Sequence, residues 1–457
     1  MASTSYAVID PTTGSPLIAV EQADVAQTDL AVEAAHRALD HWRRVSPADR
    51  GRLLRGFADA VGEAIEELAA LEVSNAGHTI GNARWEAGNV ADVLHYYAAA
   101  PERAFGRQIP VAGGVDITFQ EPLGVVGVIV PWNFPMPIFG WGVAPALAAG
   151  NTVVVKPAEL TPLTAVRIGQ LASEAGIPDG VLTVLPGKGS VVGERLVTHP
   201  LVRKICFTGS TAVGTRLLAT AAPQVKRVTL ELGGKSANII FADSDLEQAA
   251  ASAPGAVFDN AGQDCCARSR ILVQASVYDR FLELLEPAVA AVQVGDPGAQ
   301  ATDMGPLISA EHRDRVGGYV ADDAVEVAFR GTAPDGAGFW YPPTVVLPHA
   351  ASDRVWREEV FGPVVAVLPF DDEAEAVAMA NDSELGLSGS IWTNDVGRAL
   401  RVARAVEAGN LSVNSHASVR YSTPFGGYKQ SGLGRELGPD ALEAFSEIKN
   451  VFIATER

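Results

Sequence analysis

The chain has 457 residues, with 35 Lys and Arg against 54 Asp and Glu and a formal charge of −19. This acidic excess excludes a nucleic-acid binder, which needs a basic footprint to displace counterions. A content of 47% hydrophobic and 19% charged residues excludes disorder, and the length fits two or three domains at roughly 100–200 residues each.

The cysteines Cys206, Cys265 and Cys266 are odd in number and two are adjacent, so no disulfide framework can be drawn and a reduced, cytoplasmic setting is expected. Residues 1–16 have neither a basic nor an apolar region of the kind a secretory signal needs. Asp24 and Gln27 have capping-box spacing ahead of a helix whose Leu30, Ala31, Ala34, Ala35, Ala38, Leu39 and Trp42 recur at helical period. A second amphipathic helix is predicted with Leu53, Leu54, Phe57, Val61, Ile65 and Leu68 on one face. Residues 109–119 alternate around Gly113-Gly114 and predict a hairpin. Residues 122–150 lack charge but hold five prolines, which argues against a membrane span and for a buried strand, a turn and a buried helix.

From residue 126 β-branched runs alternate with helix-length gaps, at 126–130, 152–156, 181–185, 204–208 and 227–231. Continuous apolar strands separated by helices predict a parallel sheet covered on both faces, with ligands at the carboxyl ends of its strands. A second α/β series follows. It comprises a strand at 237–241, a helix capped by Asp245, a loop at 259–266, a strand at 269–273, a helix from Ser276, and strands near 364–370, 388–393 and 410–414. A last strand at 450–454 is expected to join the hairpin as an oligomerisation arm.

Chemistry is sought at the strand ends. Cys265 lies in Asn260-Ala-Gly-Gln-Asp-Cys-Cys266, an irregular loop whose glycine lets backbone N–H groups approach a developing oxyanion. Cys206, inside a strand, is read as a small buried hydrophobe. Glu231 ends a strand ahead of Leu-Gly-Gly-Lys, where a carboxylate can serve as general base or simply meet solvent. Gly234-Lys-Ser is no phosphate loop, because that motif needs Gly where Thr229 stands. Phe207-Thr-Gly209-Ser210-Thr opens a helix and aims N–H groups at an anion, although the dinucleotide Gly fingerprint is absent. Lys156-Pro-Ala-Glu159 can hold ribose hydroxyls. Pro131-Trp-Asn133-Phe-Pro135 sets an Asn amide among prolines and aromatics, as an oxyanion donor or as a turn closer. Glu359-Val-Phe361-Gly-Pro and the segment 424–436 are dense turn motifs. No Cys-x-x-Cys or His-Glu-x-x-His spacing points to a metal.

In this order, PWNFP, KPAE, FTGST, ELGGK, NAGQDCC, EEVFGP and PFGGYKQSGLGRE resemble the aldehyde dehydrogenase superfamily over essentially the whole chain. The resemblance implies an α/β fold with a Rossmann-type cofactor domain (1–104 and 123–233) and an α/β catalytic domain (234–432). A small β arm (105–122 and 433–457) would assemble a homodimer or homotetramer. It implies Cys265 as nucleophile, Glu231 as general base and Asn133 as oxyanion donor, acting on a small aldehyde. Trp132, Lys156, Glu159, Gly209, Ser210, Glu359 and Phe361 would bind NAD, preferred over NADP because the Glu159 carboxylate would repel a 2′-phosphate. Phe134, Trp141 and Phe425 are expected to line the aldehyde tunnel, with Ile138 and the loop 416–421 close by. The aromatics there suit an apolar chain, while His416 and Arg420 suit an acidic tail. One departure is Gly142, where many relatives have Lys, which makes Glu436 the candidate proton relay. Two competing readings are a cysteine-dependent esterase or amidase, and a bystander that keeps the fold without turnover.

Overall fold

Strands buried on both faces need helices above and below, and the computed structural model, which describes residues 4–322 and 325–455, is built on two such sheets. The first has five parallel strands in the spatial order Arg227–Glu231, Val202–Thr208, Val125–Ile129, Thr152–Lys156, Leu182–Val184. Its chain order reverses between Val125–Ile129 and Val202–Thr208, which places a crevice at the carboxyl ends of those two strands. The short strand Gly432–Leu433 pairs antiparallel with Arg227–Glu231 and closes that edge.

The second sheet orders Thr344–Pro348, Val364–Phe370, Arg270–Gln274, Ala237–Ile240, Ser388–Trp392 and Asn410–Val413 in parallel, with Val325–Arg330 antiparallel at one edge. A third, antiparallel sheet joins Gln108–Val111, Gly114–Pro122 and Ser446–Ala454. The hairpin therefore forms as expected, and the closing strand begins four residues before the predicted one.

The charge-free stretch forms the strand Val125–Ile129 and the helix Pro135–Ala148, every residue of which is buried. Pro135 and Pro137 are tolerated because the first turn of a helix has N–H groups with no helical partner. Trp42 is fully buried and donates from Nε1 to the Leu147 carbonyl at 3.2 Å, which ties the first long helix to this buried one.

Three details depart from the sequence reading. The capping box at Asp24 and Gln27 starts the helix Val25–Trp42, but its buried side is Thr28, Val32, Ala35 and Trp42, and Leu30 is 63% exposed. In an alanine-rich helix the apolar stripe is too diffuse to fix the rotation. The second stripe breaks at Ala64 into Pro47–Glu63 and Ile65–Ala76, although Leu54, Phe57, Val61 and Leu68 are all fully buried. The hairpin Thr4–Asp10 with Ser15–Gln22 was not expected, though Pro11-Thr-Thr-Gly14 is a legible turn signal.

Candidate active site

The cysteine loop follows the helix Leu246–Phe258, whose N-cap Asp245 accepts from the Gln248 N–H at 2.9 Å. Asn260, Ala261 and Gly262 then take left-handed conformations in succession, with φ of 48°, 53° and 70°. Such a run costs energy at the two non-glycine positions and persists where surrounding structure dictates it. A Cβ on Gly262 would stand 2.2 Å from the Gly362 carbonyl oxygen, and one on Gly234 would stand 1.9 Å from that of Cys265. Glycine at these two positions lets the ELGGK, NAGQDCC and EEVFGP segments interlock.

Hydrogen bonds hold the loop in register. Asn133 donates from Nδ2 to the Gln263 carbonyl at 2.9 Å, and Asn260 donates to the Asn133 carbonyl at 2.7 Å. Gln263 donates to the Asn260 carbonyl at 3.1 Å and accepts the Ile308 N–H at 2.9 Å. An amide nitrogen carries two N–H groups. Asn133 thus anchors the cysteine loop with one and keeps a second for a ligand.

Cys265, Glu231 and Asn133 line one cavity of about 130 Å³. Phe134, Trp141 and Phe425 form part of its wall, with the Trp141 and Phe425 rings edge-on at 5.1 Å. Glu231 is 1% exposed, and neither carboxylate oxygen has a hydrogen-bond partner. Burial, then the charges of Glu436 and Cys266, push its carboxyl well above the ordinary range. The Cys265 thiol is also pushed well above its usual value, first by its hydrogen bond with Cys266 and then by burial. Both shifts favour the protonated form. Cys206 is buried in its strand, as expected, and burial raises its thiol to about 12.

On the other side of the loop lies the crevice of the first sheet. A second cavity, of about 190 Å³, is walled by Ile129, Gly189, Gly193, Phe207, Val213 and Leu217. Gly189 donates its N–H to Glu159 at 3.2 Å, and a Cβ on it would be 3.9 Å from the Lys156 ammonium. Ser210 caps the helix Thr211–Ala221, and Gly209 donates to the Glu231 carbonyl at 3.0 Å. Nearer the cysteine, Glu359 accepts the Gly234 N–H at 2.7 Å, and burial raises its carboxyl to about 7. Phe361 has φ 57° and stands edge-on to Trp132 at 5.3 Å.

Strand-end chemistry and fold now point one way. The aldehyde dehydrogenase family model matches residues 1–451. The chain belongs to the aldehyde dehydrogenase family. It is 41% identical over 453 residues to an aldehyde dehydrogenase of Aspergillus niger, spanning 98% of this chain and 91% of that one. It is 42% identical over 462 residues to a phenylacetaldehyde dehydrogenase of Pseudomonas fluorescens, spanning 98% and 92%. The crystal structure of PnpE in complex with nicotinamide adenine dinucleotide superposes with a TM-score of 0.97 at 42% identity, covering 99% of this chain and 95% of that one.

Two expectations need correction in this aldehyde dehydrogenase. His416 does not face the aldehyde cavity: its Nδ1 pairs with Ser390 Oγ at 2.9 Å, it packs on Trp392, and burial lowers it to about 3. Arg420 is exposed and turns back on the Ala417 carbonyl, and within 416–421 it is Val419 that reaches the cavity wall. The acidic-tail reading therefore loses both of its cations. Sequence reasoning also passed over Trp85, Asp259 and Asp264 as wall residues. A tryptophan on an otherwise mixed helix face and two acids bracketing a reactive-cysteine loop were the available signals. Nothing in the spacing foretold the buried group of Glu72, His78 and Glu86, in which His78 Nδ1 lies 2.5 Å from Glu86 and 3.6 Å from Glu72.

Proposed function

We propose that the protein oxidises a small aldehyde to its carboxylic acid with NAD, through a covalent thioester on Cys265. The observation that carries this reading is the convergence of Cys265, Glu231 and Asn133 on one cavity beside the crevice of a parallel sheet.

Lys156 and Glu159 would hold the adenosine ribose, Gly209 and Ser210 the pyrophosphate, and Glu359, Phe361 and Trp132 the nicotinamide end. The fit is physical: a mostly apolar slot for a flat ring, whose lining also includes Ser190, Glu194, Arg216 and Thr220, has the Lys156 ammonium and the Glu159 carboxylate beside its Gly189, and the Glu159 carboxylate favours NAD over NADP. Bound NAD supplies the acceptor for the hydride that the tetrahedral carbon loses. The Cys265 thiol gives its proton to solvent water, its sulfur bonds to the aldehyde carbon, and the free Asn133 N–H and the Cys265 backbone N–H face the oxygen as it gains charge. Glu231 then takes a proton from the water that attacks the thioester, and the acid leaves with the thiolate restored.

Glu436 supports Glu231. It is 5% exposed, burial raises it to about 7, and its charge is among the causes that raise Glu231. At Gly142 a Cβ would stand 2.8 Å from Val128 Cγ1, so the position is closed to a relay side chain without repacking. Lys204, buried and donating to Thr229 at 2.6 Å, is the cation whose charge acts on Glu436.

The arm sheet exposes Phe119, Ile448, Phe452 and Ile453, an apolar surface that suits a homodimer or homotetramer. Residues 1–104 and 123–233 would form the cofactor unit, 234–432 the catalytic unit, and 105–122 with 433–457 the arm. Three free cysteines support a cytoplasmic setting.

The test is reduced-cofactor absorbance with purified protein, NAD and butanal across pH. Cys265 has a raised pKa and attacks deprotonated, so kcat/KM should climb from pH 6.5 to pH 9, and Glu231, also raised and working deprotonated in deacylation, should make kcat climb too. A rate that falls over that range would contradict the assignment of these two groups. Absence of cofactor reduction would defeat the oxidation itself.

A further inference from the structure

The chemistry assigned to Cys265 begins with the loss of a proton, and the bond to Cys266 together with burial makes that proton hard to release. The residue just before this cysteine is a carboxylic acid. Asp264 accepts the Cys266 N–H at Oδ1 over 2.8 Å, a turn that fixes its side chain beside the two thiols. A carboxylate oxygen of Asp264 and the sulfurs of Cys265 and Cys266 lie within 4.8 Å of one another, and the Cys265 thiol is hydrogen-bonded to that carboxylate. All three residues line the aldehyde cavity, and Asp264 and Cys265 are only half-buried, so both are open to water there.

Of the carboxylates whose charge acts on the Cys265 thiol, Asp264 comes before Glu359, which already holds the Gly234 N–H at 2.7 Å. An anion beside a thiol resists a second anion there. Moving the proton onto the carboxylate removes that conflict as the new bond forms. The enclosing walls raise the Asp264 carboxyl to about 6, helped by Asp259 and opposed by the Cys266 N–H, the Arg268 guanidinium and the thiol. Arg268 stands behind the loop and donates to the Cys266 carbonyl at 2.5 Å. The other acids of the wall, Glu231 and Asp259, are both raised by burial, and His78 acts on Asp259. Asp264 is thus ionised at neutral pH yet basic enough to accept a proton.

We propose that Asp264 is a further catalytic residue, the base that takes the Cys265 thiol proton as the sulfur attacks the aldehyde. The inference rests on the reading of Cys265 as nucleophile and deepens it. The S–H bond breaks as the S–C bond forms, and the carbonyl π pair moves onto the oxygen. The proton goes to an Asp264 oxygen and from there to water in the cavity. At alkaline pH the ionised thiolate attacks directly, so the carboxylate matters most near neutrality.

Asp264→Asn keeps an oxygen for the Cys266 N–H and loses the base. Stopped-flow cofactor absorbance with NAD and butanal below saturation gives the burst rate. At pH 7 the variant should be slower than the parent by about 10², the lower end of what a positioned base contributes. The gap should close toward pH 9.5, where the thiolate needs no base. Decay of the acyl-enzyme, the step given to Glu231, should keep the parent's rate. A carboxylate that only repels the thiolate predicts the reverse, a variant faster than the parent at pH 7. A burst equal to or faster than the parent's at pH 7, or a deficit of the same size at every pH, overturns the role of Asp264 and leaves oxidation through Cys265 standing. Should circular dichroism show that the variant does not fold, Asp264→Ser is read in the same way. Absence of cofactor reduction by the parent overturns both.

Discussion

Cys265→Ala should reduce steady-state turnover by on the order of 10⁶, the scale of loss when a covalent nucleophile is deleted. The sulfur forms the only covalent bond to the substrate, and neither Asn133 nor Glu231 can replace it. Cys266 is the internal control. It is buried, lines the same cavity and interacts electrostatically with Glu231, so adjacency alone does not say which thiol reacts. Cys266→Ala should keep turnover within about tenfold of the parent, while binding NAD and aldehyde as before. Measuring both variants by cofactor absorbance, with folding checked by circular dichroism, decides the matter. A fully active Cys265→Ala variant would remove the thioester from the mechanism. Ester cleavage by the parent without any cofactor reduction on an aldehyde panel would revive the esterase reading instead.

Glu231→Gln should split the reaction in time. The amide is nearly isosteric, so Cys265 can still attack and the first turnover can still reduce cofactor. Water then meets the thioester with no base, and deacylation should slow by roughly 10²–10⁴, the usual worth of a positioned general base. Stopped-flow absorbance should show a burst near one equivalent per active site, followed by a slow phase, and mass spectrometry should find the acyl group on Cys265. An unchanged steady state would take Glu231 out of its role. The pH dependence follows the same logic with the sign worked through. Burial and Glu436 raise the Glu231 carboxyl, so the proton-free form gains population as pH rises, and the parent's deacylation should speed up toward alkaline pH. The variant lacks that group, so its slow phase should lose this part of the dependence.

Much of the fold was legible because its signals are local. The β-branched runs at 152–156 and 227–231 became Thr152–Lys156 and Arg227–Glu231, since an apolar run bounded by helix caps has few other ways to bury itself. Helix caps at Asp24 and Asp245 were equally plain, each requiring one side chain and one backbone N–H three residues on. Where the signal was weak, the reading slipped. The alanine-rich first helix hid its rotation, and the break at Ala64 lies inside an unbroken apolar stripe. Residues 325–330 and 344–348 form strands of the second sheet that were not foreseen, one of them at its edge and antiparallel to the rest.

What the chain by itself determined was the set of chemical types and their places at strand ends: a thiol on a glycine-bearing loop, a carboxylate and an amide each after a parallel strand. Those depend on spacing along the backbone. What the tertiary structure alone decided was direction. It turned His416 into a buried serine pocket and Arg420 to the surface, and it brought Asp259, Asp264 and Trp85 onto the cavity wall. Left-handed backbone at Asn260, Ala261 and Gly262 sets where the residues after it point, and that conformation is imposed by packing against Gly362 and Asn133 from distant segments. Charge at a binding site is a sum over groups from many parts of the chain, so it exists only once those parts have been brought together.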